Sequence, residues 1–376
     1  MYHYASLEPI AEQLIKKLVM SKVAAEVRFT GAFRRRAVVL ESLDFLLIEP
    51  IDDVIYNLSS LEEIHDVSEQ ENYIAAKSEK GVPLRFFPTS DKQCGMMWLR
   101  TTGSEAHLER LGPLPDLSEA KEEKAIYETL NHPYIIPELR EGLFEFNGID
   151  QEGIITENDI KGVIHSHSTW SDGSVSIREM AEACMEVDYE YLVMSDHSKS
   201  AFYANGLDEE RLIAQMNEID DLNASFEKEG INFKVFKSIE SDILNDGSLD
   251  YGDDLLERLD LVIASVHSNL KMDEEKAMNR LIRAIEHPAT RILGHMTGRL
   301  LLSRRGYPVD HSKIIDACAA NNVVIEINAN PMRLDIDWKY IPKAIEKGVM
   351  LSVNPDAHSI AGIDDIHFGV LAARKG

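Results

Sequence analysis

Cysteine is scarce: Cys94, Cys184 and Cys318 are the only three in 376 residues, and no two form a C-x-x-C pair. That excludes a disulfide framework and a thiolate-based metal site. Long apolar runs are also missing. Nothing approaches the roughly 20 residues that a membrane-spanning helix needs. The opening stretch "MYHYASLEPIAEQLIKKLVM" reads as an amphipathic helix with acidic residues rather than a secretory leader. The expectation is a cytoplasmic protein that does not engage membranes. Basic residues are outnumbered, 39 Lys and Arg against 65 Asp and Glu, for a net charge of −26. Such a surface repels phosphate backbones and argues against tight, sequence-blind DNA binding. No internal repeat or low-complexity tract interrupts the chain.

What is present is organised. From about residue 160 onward, short β-rich runs alternate with helical patterns. Strands are expected over 160–164, 191–195, 232–239, 261–266, 291–293, 323–327 and 350–353. Helices are expected between them, for example where Ile177, Met180, Ala181 and Cys184 recur at i, i+3, i+4, i+7. Seven such alternations imply parallel strands with crossover helices. The segment 142–158 reads as the joint with what precedes it.

The polar residues that follow those strands carry the chemistry. The first run ends in "HSHSTWSDG", with His165, His167 and Asp172. The others end in "SDHS" (His197), "IESD" (Glu240), "SVHS" (His267), "LGHMTGR" (His295) and "NPDAH" (Asp356, His358). Residues i and i+2 of a strand face the same side, which would aim His165 and His167 at one spot. In a parallel barrel the carboxyl ends of all strands share one rim, where active sites are built. A lone histidine after a strand is usually just a hydrogen-bonded residue. Repetition at six strand ends points to a metal site instead. Imidazole with carboxylate suits Zn2+, Mn2+ or Fe. Arg299 could hold a phosphate, with Lys199 as a second candidate; Asn328, Arg333 and Asp335, after the sixth strand, are expected to form a rim element, either substrate-facing or structural.

These motifs, in this order, resemble the PHP (polymerase and histidinol phosphatase) superfamily, over residues 159–376. The variant is that of the C-terminal part of bacterial X-family DNA polymerases. The N-terminal half resembles the same family: "FTGAFRRRAVVLESLDFLL" its palm, "TTGSEAHLERL" its thumb entry, and "IYETLNHPYIIPELREG" its thumb-to-PHP junction. The resemblance implies a distorted (β/α)7 barrel holding two to three divalent ions. Their ligands would be His165, His167, Asp172, His197, Glu240, His267, His295, Asp356 and His358, with Glu240 and Asp356 shared. His267 and His295 would hold one ion together. It further implies an α+β, palm-like domain over 1–110 and a thumb-like or linking stretch over 111–158.

The palm departs from the family pattern. Its Gly-Ser pair is Gly31-Ala32, its Asp-x-Asp is Ser42-Leu43-Asp44, and Pro83 stands in "VPLRFF" where a third Asp is expected. One carboxylate cannot clamp the two Mg2+ ions that nucleotidyl transfer requires. The expected function is therefore a metal-dependent phosphoesterase that uses activated water, with Asp172, His197 and Arg299 at the chemistry and an inactive polymerase half. The substrate would be a phosphorylated small molecule, a nucleotide or a nucleic-acid 3′ end. The alternatives are 3′-5′ exonuclease action in DNA repair and a non-catalytic scaffold. The scaffold reading predicts eroded ligands, and all nine are present.

Overall fold

The computed structural model describes residues 1–117, 119–148 and 150–376; Ser118 and Ile149, both within the expected 111–158 linking stretch, lie outside the described residues. The chain divides into two compact units, Met1–Ile154 and Ile155–Arg374. No helix among the described residues is long and apolar enough to cross a membrane.

The first unit is built on a five-stranded mixed sheet. Its strands are β1 (Ala24–Thr30), β2 (Leu43–Pro50), β3 (Ile64–Glu69), β4 (Ile74–Ser78) and β5 (Pro83–Thr89), in the order β1-β2-β5-β4-β3. The run Leu43 to Leu47 is buried throughout, as expected of a central strand covered on both faces. The stretch after residue 110 packs as part of this unit: Leu111, Ile126, Tyr127, Ile135 and Leu139 share a buried core with Met96 and Leu99. At its centre Glu123 is held between two guanidinium groups, Arg34 and Arg140.

The second unit is a seven-stranded, all-parallel, nearly closed barrel. It comprises β6 (Gly162–Ser166), β7 (Tyr191–Met194), β8 (Lys234–Asp242), β9 (Leu261–Ser265), β10 (Thr290–Leu293), β11 (Val324–Asn328) and β12 (Leu351–Asn354), adjacent in chain order. The ring closes where His167 N–H donates to Ala357 O (2.8 Å) and Ala357 N–H to His165 O (3.2 Å). Helices return the chain between strands. They start where an Asp or Ser caps the free N–H groups of the first turn: Ser176 before Ile177–Glu186, Asp208 before Glu209–Glu229, Asp273 before Glu274–Ile285 and Asp310 before His311–Asn321. Ser176 and Glu179 complete a reciprocal capping box. The helices' apolar faces, Ile177, Met180, Ala181 and Ile219 among them, pack against Val163, Leu192 and Met194 of the strands. Such an α/β arrangement leaves the loops after the strands free to carry function.

Candidate metal centre

All nine expected ligands lie at the carboxyl ends of the barrel strands or in the loops just after them. The convergence of His165 and His167, with ring centroids 5.3 Å apart, does not come from strand alternation. His165 has a positive φ of 65°, the pairing of β6 with β7 shifts between Val163 and Ser166, and His167 lies past the strand end. Asp356, beyond β12, also has a positive φ (55°). A non-glycine residue held there is strained and persists only where its surroundings impose it. Here both strained residues point into the same cluster.

Glu240 is the hub. It is fully buried, and its Oε1 lies 3.2 Å from His165 Nε2, 3.1 Å from His267 Nε2 and 2.9 Å from His295 Nε2. Its Oε2 lies 2.9 Å from His197 Nδ1. Asp356 Oδ1 is 3.1 Å from His167 Nε2 and 3.5 Å from His165 Nε2. At the mouth, Asp172 Oδ1 is 3.4 Å from His358 Nε2, 3.7 Å from His197 Nε2 and 3.9 Å from His167 Nδ1. Three groups have mutually close ligand atoms: His167, Asp172, His197 and His358; His165, His167 and Asp356; and His197, Glu240 and His267. His267 falls in the group of His197 and Glu240. His267 Nε2 and His295 Nε2 also meet at the same Glu240 Oε1, with their rings 5.1 Å apart, the pairing that the family resemblance implies.

The donor set fits divalent cations. His165 Nε2, His167 Nδ1, His197 Nδ1, His295 Nδ1 and Glu240 Oε2 are buried without a hydrogen-bond partner. Leaving such groups unsatisfied is costly unless something else uses them. Outer contacts orient the rings: His165 Nδ1 bonds Glu326 Oε1 (2.5 Å), His267 Nδ1 bonds Asp242, and His358 Nδ1 bonds Asp356 O (2.9 Å). A bond at one ring nitrogen fixes the tautomer and aims the other at the ion. The cysteines take no part. Cys184 and Cys318 are buried in helices, and burial pushes both thiols up to about 12.

The electrostatics make the cluster a sink for positive charge. Burial alone would raise the Glu240 pKa, but His267, His165 and His197 outweigh it and hold the carboxyl well below its ordinary value. Asp356 is held well below by His165 and His167 against the same penalty. Burial would lower His267, yet Glu240 and Asp242 lift it to about 10. His167 falls to about 3, through burial and the neighbouring His197.

Two functional residues were not singled out from the sequence. Glu326 is fully buried in β11; besides His165 it accepts from His295 N–H (2.7 Å), Asn354 Nδ2 (2.9 Å) and Asn328 Nδ2 (3.2 Å). Asp242 lies two residues after Glu240. The signal for both was strand periodicity: Glu240/Asp242 and Glu326/Asn328 are i, i+2 pairs of polar residues near the carboxyl ends of their strands. Arg299 is engaged elsewhere. It donates to Arg333 O (2.9 Å), Leu334 O and Asp337 Oδ2 (2.7 Å). It braces the loop that brings Arg333 Nε to 3.7 Å from Asp356 Oδ2. The basic group at the cluster is therefore Arg333. Lys199 pairs with Glu209. Asn328 also donates to Asp356 Oδ2 (3.1 Å), and Asp335 accepts from Thr297.

In the first unit, Asp44 sits level with Arg85 across β2 and β5, so Arg85, not Pro83, occupies the facing position. Arg85 Nε donates to Asp44 Oδ1 (2.7 Å) and Nη2 to Oδ2 (2.5 Å), and Ser42 Oγ adds a bond of 2.7 Å. Gly31 has φ of +65°, and a Cβ there would stand 2.1 Å from Asp44 Oδ2, so only glycine fits.

No family model matches the sequence. The chain is 47% identical over 255 residues to the DNA polymerase/3′-5′ exonuclease PolX of Bacillus subtilis (strain 168), covering 68% of this chain and 44% of that protein. It is 31% identical over 135 residues to a probable phosphatase of Caldanaerobacter subterraneus subsp. tengcongensis, covering 33% of this chain and 51% of the relative. The chain thus spans about half the length of these two curated relatives. Among solved structures, histidinol phosphate phosphatase from Lactococcus lactis, complexed with zinc, L-histidinol and phosphate, superposes with a TM-score of 0.43 at 17% identity, over 57% of this chain and 94% of that one. In sequence the chain resembles the PHP superfamily, in the form found at the C-terminal part of bacterial X-family DNA polymerases.

Proposed function

We propose that the barrel is a metal-dependent phosphoesterase and that the first unit has no polymerase activity. The observation that carries the first reading is the set of three converging histidine–carboxylate groups around buried Glu240, in which His165 Nε2, His167 Nδ1, His197 Nδ1 and Glu240 Oε2 are buried without a hydrogen-bond partner. His165, His167 and Asp356 would hold one ion, His197, Glu240 and His267 a second, and Asp172 and His358 with His167 and His197 a third. When bound, divalent cations acidify water and polarise phosphoryl oxygens. The chain's own residues do the rest. Glu326 and Asp242 keep His165 and His267 in the tautomer that presents Nε2. Arg333, set by Arg299, offers a charged donor to a phosphoryl oxygen. Asp172 and His358 are the half-exposed members, so substrate enters on their side. In the hydrolysis the oxygen of water joins phosphorus, the ester P–O bond breaks, and the alcohol leaves with a proton.

For the first unit, the reading rests on Arg85. A guanidinium bonded to both oxygens of Asp44 occupies the carboxylate that a catalytic Mg2+ would need. The region 1–110 is then a palm-like remnant and 111–158 its thumb-like continuation.

The test is release of phosphate from small phosphomonoesters and of nucleotides from oligonucleotide 3′ ends, with Mn2+ or Zn2+ added, beside a primer-extension assay. Hydrolysis without extension is expected. Extension of a primer would overturn the second reading; no hydrolysis of any ester with metal bound would overturn the first.

A further inference from the structure

The loop that follows β7 leaves the barrel at His197 and returns at once. Leu207 N–H donates to His197 O (2.8 Å), Ala201 N–H to Ser198 O (3.0 Å) and Gly206 N–H to Ala201 O (3.1 Å). The closure is so tight that a Cβ on Gly206 would stand 1.9 Å from Ser198 O. Side chains pin the loop from outside. Asn205 Nδ2 donates to Trp170 O (3.1 Å) and Ser171 O (3.3 Å), in the loop that carries Asp172, and Asp250 accepts from Ser200 N–H and Oγ (both 2.6 Å). This is a rigid pedestal rooted on one candidate ligand and braced against the loop of another.

Its tip is an unusual thing for such a pedestal to hold up. Ala201 and Ala204 are buried, while the two large residues between them face out: Phe202 is 85% exposed and Tyr203 63%. Their rings stand edge-on at 6.2 Å and 75°. Folding gains little from apolar rings left in water, and paired exposed aromatics mark binding surfaces more often than lone ones do. The ring order of the barrel sets this tip, after β7, across the mouth from the loops after β10 and β11, which carry Arg304 and Arg333. Burial together with Asp242, Glu240 and Asp172 holds the Tyr203 phenol above its ordinary value, against Arg333. The opening therefore has a phosphate-directed cation on one side and flat apolar rings on the other, with the cluster between.

The geometry points to Phe202 and Tyr203 as a ring shelf that selects phosphoesters whose alcohol part carries a flat aromatic ring, a nucleoside phosphate being the chemical class that combines both. This rests on the phosphoesterase reading above. A free nucleotide and the terminal nucleotide of a single strand present the same ring and phosphate. Stacking tolerates any flat ring, so the shelf discriminates ring from no ring rather than one base from another.

The test uses ratios, so that a general loss of fold or activity does not imitate the effect. Phenylphosphonate and propylphosphonate are titrated into the full chain by calorimetry, and hydrolysis of benzyl phosphate is compared with that of propyl phosphate, whose leaving alcohols have similar acidity. The wild type is expected to favour the ring-bearing compound about tenfold in both measurements. Phe202→Ala/Tyr203→Ala is expected to bring both ratios near one, and Phe202→Trp and Tyr203→Phe to keep them. A wild-type ratio near one, or a ratio that survives loss of both rings, overturns the shelf. Hydrolysis of both esters with no ring preference would sink the shelf and leave the phosphoesterase standing; ring-dependent binding without hydrolysis would do the reverse. A nucleoside monophosphate and a short single-stranded oligonucleotide, run on the same variants, separate the two sources: ring dependence with the monophosphate assigns the shelf to free nucleotides, ring dependence with the oligonucleotide alone assigns it to strand ends, and dependence with neither overturns it.

Discussion

Replacing Glu326 by glutamine should weaken metal binding without touching a proposed ligand. Four donors converge on its two oxygens: His165 Nδ1 and Asn354 Nδ2 on Oε1, and His295 N–H and Asn328 Nδ2 on Oε2. Glutamine accepts through one oxygen only, so two of the four would meet an NH2 group. Each buried donor left unmet costs about 1–3 kcal/mol, so the variant loses roughly 2–6 kcal/mol unless something rearranges. The cheapest escape is at His165: its ring gives up the Nδ1 proton, accepts from the new amide, and carries its proton on Nε2. That proton then occupies the lone pair aimed at the Glu240–Asp356 space. The expected loss of affinity is about 10–100-fold, or about 1.4–2.8 kcal/mol. Titrating Mn2+ or Zn2+ calorimetrically into chelator-stripped wild type and Glu326→Gln measures it, and nitrogen-15 NMR of the His165 ring reads the tautomer. Wild-type affinity in a folded variant, with the His165 tautomer unchanged, would refute the reasoning.

Two further outcomes concern the first unit. Glu123 has its pKa lowered to about 2, because the Arg34 and Arg140 guanidinium groups outweigh the burial penalty. A depressed carboxylate contributes stability that is fully present above its unfolded value near 4.5 and is lost as pH falls toward about 2; the shift corresponds to roughly 3 kcal/mol. Urea unfolding at pH 7 and pH 3 should show about 2 kcal/mol of that contribution lost in the wild type and none in Glu123→Gln, which should be less stable at pH 7. A variant with the wild-type pH dependence would contradict this. Arg85→Ala should destabilise the unit by about 1–2 kcal/mol by leaving Asp44 buried and unpaired, a figure reduced because Arg85 is 43% exposed. Asp44→Ala/Arg85→Ala should recover part of it, and a double-mutant cycle with no coupling would contradict the pairing.

The barrel was legible in the sequence because its strands and helices alternate with clear periods. The seven strands lie within two or three residues of their expected places, since each is fixed by a buried apolar run. The ligand candidates were legible as well, because each sits just past such a run. What the sequence hid was local geometry and reach across the fold. Nothing in "HSHS" signals that His165 leaves the strand with positive φ, and the grouping of His267 with His197 depends on which loops lie side by side. Arg299 looked like a phosphate ligand because it follows His295 closely, yet its partners come from a loop some 35 residues on. Arg85 was missed because register, not sequence spacing, sets it opposite Asp44. Glu326 reads as one acidic residue in an apolar strand until the position of His165 is known.

Metal content per chain tests the central claim most directly. Wild type and His165→Ala/His167→Ala, loaded with Mn2+ or Zn2+ and dialysed, are compared by elemental mass spectrometry together with phosphate release. Two to three ions per wild-type chain, with both metal and hydrolysis lost in the double variant, is the predicted result. A wild-type chain that retains no divalent ion, or a double variant that keeps full metal content and full activity, would contradict the account.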